Sequence, residues 1–268
     1  MLGWIVVLVG AVLGVPAAMY LMQDSLLFFP QPLVGPPPAS RPARPVEELA
    51  FDTADGLRLR GWLVGTAAGP APLVVYYGGN AEEVSWQARQ PGWPADSSLA
   101  LVNYRGYGAS EGKPSERSLF ADALVVFDAL ARRPDVDASR IVLFGRSLGS
   151  AVATHVAAER PVAGAILVSP FESMIEVGRR HYPWLPVGLL LRHPFDARSR
   201  AAAITVPMLT IVGERDGIIP PAHSKRLFDA WGGPRRWVAI PGADHNDVGG
   251  APEFWAAVNS FLREPRGR

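Results

Sequence analysis

The sequence contains no cysteine. That alone excludes thiol nucleophiles, disulfides and cysteine-based zinc sites. It also lacks an excess of charge: 26 basic residues against 25 acidic ones leave a net charge of +1, so nothing points to a nucleic-acid partner. No metal-ligand spacing and no phosphate loop is present, and Gly106-Tyr107-Gly108 is only a fragment of a dinucleotide fingerprint. No cofactor and no metal is therefore expected. There is no internal repeat, and 268 residues are enough to bury one full core.

Charged side chains are also missing from Leu2 to Met22. A stretch of about 20 apolar residues matches the hydrocarbon thickness of a bilayer. Trp4 and Tyr20 lie near its ends, where interfacial aromatics sit. A secretory signal would need a basic start and a small-x-small cleavage site. No Lys or Arg precedes the span, and Val15-Pro16-Ala17-Ala18 is a poor site. Residues 1–22 are read as a transmembrane anchor. The nearest basic residues, Arg41 and Arg44, follow the span and favour a cytoplasmic catalytic domain. Gly10 and Gly14 form a G-x-x-x-G pair, but glycine is common in such spans and no dimer is inferred.

Residues 23–45 read as a proline-rich juxtamembrane linker. Gln31 to Pro45 (QPLVGPPPASRPARP) has no apolar period and predicts an extended, semi-rigid spacer. Leu26 to Phe29 is apolar and lies either at the membrane surface or on the domain. With such a spacer, a chain starting near Val46 would be soluble and active. Residues 46–268 make the catalytic domain.

Within that domain strands and helices alternate. Strands are expected at Val46–Phe51, Leu57–Val64, Leu73–Tyr77, Leu99–Asn103, Ile141–Phe144, Ala163–Val168, Met208–Val212 and Trp237–Ile240. Helices are expected from near Glu82, over Leu119–Arg132, after Ser147, and over Ala222–Trp231 and Pro252–Arg263. The alternation implies a mostly parallel sheet with helices on both faces. Sites in such sheets lie at the carboxyl ends of strands. Gly78, Tyr104, Ser147, Gly213 and Pro241 all fall at such ends.

The chain is organised around Ile141 to Val152, IVLFGRSLGSAV. A buried strand runs into Gly145-Arg146-Ser147-Leu148-Gly149 and then into a helix. This is the pattern of a nucleophile elbow, in which a sharp turn lifts a serine above the sheet. The bland alternative is a turn whose serine caps the helix. A serine hydroxyl needs a base, and the base needs a carboxylate to hold its tautomer. Downstream, Asp216 follows a strand in Gly213-Glu214-Arg215-Asp216-Gly217, and His245 follows the last strand in Pro241-Gly242-Ala243-Asp244-His245. Glu214 is the alternative acid, and Asp216 is preferred because Asp216-Gly217 suits the turn. His155, His181, His193 and His223 are read as structural or exposed. Asp244 and Asp247 are read as loop hydrogen bonders. The oxyanion hole is assigned to the backbone N–H groups of Leu148 and of Asn80 in Gly79-Asn80-Ala81.

These residues resemble the α/β-hydrolase superfamily, and within it the membrane-anchored serine hydrolases that include eukaryotic protein depalmitoylases and bacterial relatives. The likeness runs from about Leu26 to Phe261. Its carriers include Gly78-Gly79-Asn80-Ala81-Glu82, Asn103-Tyr104-Arg105-Gly106-Tyr107-Gly108, Gly145-Arg146-Ser147-Leu148-Gly149, Ser169-Pro170-Phe171 and Gly242-Ala243-Asp244-His245-Asn246-Asp247. Gly78 stands where the family usually has His, and Asn103 where it usually has Asp. The resemblance implies an α/β-hydrolase fold with a short lid over Phe171–Phe195. It also implies hydrolysis of acyl esters or thioesters, the substrate being a small or lipid acyl ester or an acylated protein. A serine peptidase of prolyl-oligopeptidase type and a non-catalytic scaffold on the same fold are the alternatives.

Overall fold

The apolar runs are buried with a period of two, and that alternation builds the sheet. Leu73, Val75 and Tyr77 pack on one face while Val74 and Tyr76 pack on the other; Leu143 and Leu167 fall on the first face, Val142, Phe144, Ile166 and Val168 on the second. Strands that are apolar on both sides must be covered on both sides. The computed structural model describes residues 2–39, 44–65 and 69–264, with the side chains of residues 2–13 outside the description.

In chain order the elements are α1 (Leu2–Leu27), β1 (Val46–Asp52), β2 (Arg58–Val64), β3 (Ala71–Tyr77), a 3-10 turn (Val84–Arg89), β4 (Ser98–Val102), α2 (Glu116–Ala131), β5 (Val136–Arg146), α3 (Leu148–Glu159), β6 (Gly164–Val168), α4 (Met174–His181), α5 (Val187–Leu190), α6 (Arg198–Ala201), β7 (Met208–Gly213), α7 (Pro221–Ala230), β8 (Arg235–Ile240), a second 3-10 turn (Val248–Gly250) and α8 (Pro252–Arg263). The eight strands form one sheet in the order β1-β2-β4-β3-β5-β6-β7-β8. β1 and β2 are antiparallel, as are β2 and β4. The remaining pairs are parallel. Residues of α2, α3 and α7, such as Leu119, Val152 and Leu227, cover one face; Val84, Trp93 and the α8 residues Phe254, Val258 and Phe261 cover the other.

Several elements differ from expectation: β5 begins at Val136 rather than Ile141, and α4, α5 and α6 are unexpected. α2 starts a turn early because Ser115 and Ser118 form a reciprocal cap, the Ser115 hydroxyl accepting the Ser118 N–H. The helix expected near Glu82 is a 3-10 turn from Val84, capped by the Glu83 carboxylate. Glu82 itself points inward, to partners described below.

The N-terminal helix runs to Leu27 with Pro16 inside it. Among the described residues no helix is long and apolar enough to cross a membrane. Much of the expected Leu2–Met22 span lies in residues 2–13, whose side chains are outside the description.

The spacer expectation for Gln31–Pro45 needs correction. Its described part is seated on the domain, as is the end of the helix before it. Phe28 is 3% exposed and packs edge-on against His193 and Phe195. The Gly108 N–H donates to the Gln31 carbonyl at 2.7 Å, and Pro32 bridges to Gly108. Arg89 donates to the Pro36 carbonyl at 3.1 Å. The Arg44 guanidinium donates to the carbonyls of Trp93, Pro94 and Ser97. Proline keeps its carbonyl although it lacks an N–H, so a proline-rich strand can still accept from a surface that donates.

Candidate active site

Parallel pairing sets the end of β5 beside the end of β3, Gly145 opposite Tyr77. The elbow leaves β5 there. Ser147 has φ 51° and ψ −116°, a conformation that L-residues rarely hold. The turn is tight enough to require both flanking glycines. A Cβ on Gly145 would lie 2.4 Å from the Gly149 carbonyl oxygen, and one on Gly149 would lie 2.1 Å from that of Tyr77. The Ser147 side chain does not cap α3. Its hydroxyl instead donates to His245 Nε2 at 3.1 Å. The other ring nitrogen, Nδ1, lies 2.7 Å from Asp216 Oδ2, which fixes Nδ1 as the protonated one.

Asp216 and His245 arrive from the ends of the adjacent strands β7 and β8. His245 is buried, and Asp216 is 3% exposed. Asp216 Oδ1 accepts the N–H groups of Ile218 and Ile219 at 3.0 and 2.7 Å, so the turn after β7 orients the acid. Burial pushes its carboxyl up. The hydrogen bond and charge of His245, together with the Ile219 N–H, outweigh that, and the pKa lies below the ordinary carboxylate value. Glu214, the alternative acid, is exposed. Asp244 and Asp247 hold the His245 loop, Asp247 accepting the Asp244 N–H and Asp244 accepting those of Asn246 and Asp247.

The other four histidines have partners outside this group. His155 stacks on Phe120 at 4.2 Å. His181 meets the Ile218 carbonyl, and His193 meets Asp24. His223 is buried against the Glu172 carboxylate at 2.9 Å.

Leu148 is the first residue of α3, so its N–H has no acceptor within the helix. Asn80 lies in the loop after β3, which the elbow helix abuts, since Gly149 also approaches the Gly78 carbonyl oxygen. The Asn80 side chain is clamped: its Oδ1 accepts from the Phe29 N–H at 3.2 Å and from the Tyr107 hydroxyl at 3.1 Å.

Sequence reasoning missed what holds this loop. Glu82 is 7% exposed. Its Oε2 accepts the Gly79 N–H at 2.7 Å, and its Oε1 accepts from the Tyr76 hydroxyl, Trp86 Nε1 and Gln87 Nε2. Arg146 reaches Glu82 Oε2 at 3.4 Å with one nitrogen and donates to the His245 carbonyl at 3.1 Å with another. The residue between Gly145 and the serine thus ties the loop after β3 to the histidine loop. The departures from the family pattern fit the same web. A Cβ on Gly78 would lie 2.8 Å from Val84 Cγ1, so a larger residue has no room unless Val84 moves. Asn103 accepts the Val84 N–H with its oxygen and donates to Glu83 with its nitrogen at 2.8 Å, a donation that an ionised Asp cannot make.

The family described as "Serine aminopeptidase, S33" matches residues 94–187. An uncharacterised protein of Mycobacterium tuberculosis is 40% identical over 238 residues, covering 87% of this chain and 84% of that protein. The Arabidopsis thaliana "Alpha/beta hydrolase domain-containing protein WAV2" is 29% identical over 242 residues, 81% of this chain and 79% of that one. The chain belongs to the α/β-hydrolase superfamily. It is a serine hydrolase. An "Uncharacterized membrane protein" of Saccharomyces cerevisiae is 29% identical over 233 residues, 82% of this hydrolase and 80% of its own length. Among solved structures, an acetyl xylan esterase from Paenibacillus shares the fold with a TM-score of 0.68 at 20% identity, covering 84% of this chain and 86% of that one.

Proposed function

We propose that this hydrolase cleaves acyl esters or thioesters through an acyl-enzyme on Ser147. The observation that carries the reading is the Ser147 hydroxyl, turned away from capping its helix and onto His245 Nε2 at 3.1 Å. In this reading Ser147 Oγ attacks the acyl carbonyl carbon while His245 takes its proton. The C–O⁻ that forms is met by the N–H groups of Asn80 and Leu148. His245 then hands the proton to the departing alcohol or thiol, and water repeats the sequence to free the acid. Asp216 holds the Nδ1–H tautomer and stabilises the imidazolium. Fluorophosphonate labelling of the native chain, abolished in Ser147→Ala with an unchanged melting temperature, is the expected result. Labelling that persists in the variant removes Ser147 from the mechanism.

The apolar Leu2–Met22 stretch supports a membrane tether in residues 1–22 and a catalytic domain in 46–268, facing the cytoplasm by the charge argument. The yeast relative described as a membrane protein supports a membrane association, without bearing on its side. The lid between Phe171 and Phe195 is short, and it exposes Tyr182, Trp184 and Leu189. A cavity of about 650 Å³ borders the three site loops at Ala81, Arg146 and Asn246. Medium-chain acyl esters or thioesters of a lipid or an acylated protein fit these surroundings. Peptide hydrolysis is the second reading, favoured by the description of the matching family. Aminoacyl p-nitroanilides turned over faster than p-nitrophenyl esters would put it first.

A further inference from the structure

Between α1 and the lid lies a cavity of about 190 Å³. One wall is the end of α1, with Leu26 and Leu27; the other is the lid, with Met174, Val177, Leu185 and Leu190. The polar lining side chains, Tyr20, Gln23, His181 and Tyr182, are few, and Gln23 is committed to holding the two walls together. Its amide nitrogen donates to the Leu190 carbonyl at 3.1 Å, and its oxygen accepts the Arg192 N–H at 2.7 Å. Asp24 takes Arg192 and His193, each at 2.9 Å. The Arg192 guanidinium also lies 5.4 Å from the Tyr20 ring.

This cavity is continuous in chain with the catalytic loops on both sides. Leu27 is two residues before Phe29, whose N–H donates to Asn80 Oδ1. Met174 lies six residues after Val168, whose carbonyl accepts the Ser147 N–H at 2.9 Å. Both walls therefore grow out of segments that touch the oxyanion loop or the elbow.

We propose that this cavity receives the acyl chain of the substrate, so that the N-terminal helix is a wall of the active site as well as a tether. The proposal rests on the acyl-hydrolase reading above. An unbranched hydrocarbon suits a narrow space with apolar walls, in which Gln23 is held by backbone groups and His181 by the Ile218 carbonyl. Leu26, which lines the cavity, is half exposed, so the space is reachable from outside the fold. Chain-length preference is then a joint property of α1 and the lid. Each methylene seated there raises kcat/KM about fourfold until the cavity is full.

The experiment uses the full chain in phosphatidylcholine nanodiscs and compares p-nitrophenyl acetate with p-nitrophenyl octanoate. Leu26→Trp and Val177→Trp fill the cavity from opposite walls. Leu26 is half exposed and tolerates the change; Val177 is buried, and the acetyl ester serves as its folding control. The expected result is a fall of tenfold or more in octanoate kcat/KM, with acetate within twofold of the native enzyme. An octanoate-to-acetate ratio that stays native in Leu26→Trp overturns the proposal and leaves the cavity to a membrane lipid tail. An equal loss of both esters in Leu26→Trp overturns it too. A native enzyme that turns over neither ester and takes no fluorophosphonate is a different failure, of the acyl-hydrolase reading itself.

Discussion

Glu82→Gln is a near-isosteric change at the carboxylate that holds the Gly79-Asn80 loop, the proposed oxyanion loop. The acid accepts from Tyr76, Trp86 and Gln87 on one oxygen and from Gly79 and Arg146 on the other. An amide has one acceptor end and one donor end. Whichever way Gln is placed, its NH₂ faces donors. If the NH₂ replaces Oε2, the Gly79 N–H loses its acceptor, and the peptide that leads into Asn80 is freed. A buried group left unpaired costs about 1–3 kcal/mol of stability. A misdirected Asn80 N–H forfeits most of one oxyanion donor, roughly 2.7–4 kcal/mol of transition-state binding. The variant should therefore melt somewhat lower and, while still folded, show kcat on p-nitrophenyl butyrate reduced roughly 10²–10³-fold with little change in KM. Steady-state kinetics well below the melting temperature separate the two effects. A melting temperature that falls while kcat stays within threefold of native would refute the reasoning, since Glu82 would then stabilise the fold without positioning the loop.

Asp216→Asn should lower kcat by about 10⁴-fold through the wrong histidine tautomer, whereas Glu214→Gln, at an exposed side chain, should stay within twofold; the reverse ranking in ester kinetics assigns the acid to Glu214. A chain starting at Val46 loses Phe28 from the core and the Phe29 N–H from Asn80, so it should be less stable and less active than the full chain, contrary to the spacer expectation. Equal activity of the two against p-nitrophenyl butyrate would return Gln31–Pro45 to the role of a spacer. Asp216 is held below its ordinary pKa in the folded state, so its contribution to stability is complete above the unfolded value of about 3.9 and is lost as pH falls through the lower folded value. Urea midpoints between about pH 2 and pH 6 should accordingly fall less steeply toward acid in Asp216→Asn than in the native chain. Parallel acid limbs would remove that link.

The strands and the elbow could be read early because each carries its own pattern. Val142 to Phe144 must be buried on both sides, and Gly145 and Gly149 are the only residue type that fits their contacts. The carboxyl-end rule then gathered Ser147, Asp216 and His245, which sit far apart in the chain. What escaped notice has no local signature. Glu82 looks like an ordinary helix-start acid until Tyr76, Trp86 and Gln87 converge on it. Arg146 looks like elbow filler until the His245 carbonyl lies opposite. Composition alone made Gln31–Pro45 a spacer, because the surface that accepts Phe28 and donates to Pro36 comes from residues far along the chain.

The sheet ends in β1 on one side and β8 on the other, and each open edge is a potential template for another copy. β1 carries Glu47, Glu48 and Asp52, and β8 carries Arg235 and Arg236. Left bare, an acidic edge and a basic edge would invite head-to-tail stacking of copies into a ribbon that never closes. Much of that charge is answered within the same molecule. Arg133 grips Glu47 with both guanidinium nitrogens, Arg58 takes Asp52, and Glu264 takes Arg236. A copy approaching from either side meets ion pairs that are already made. Molecules crowded together thus pass one another without fusing their sheets.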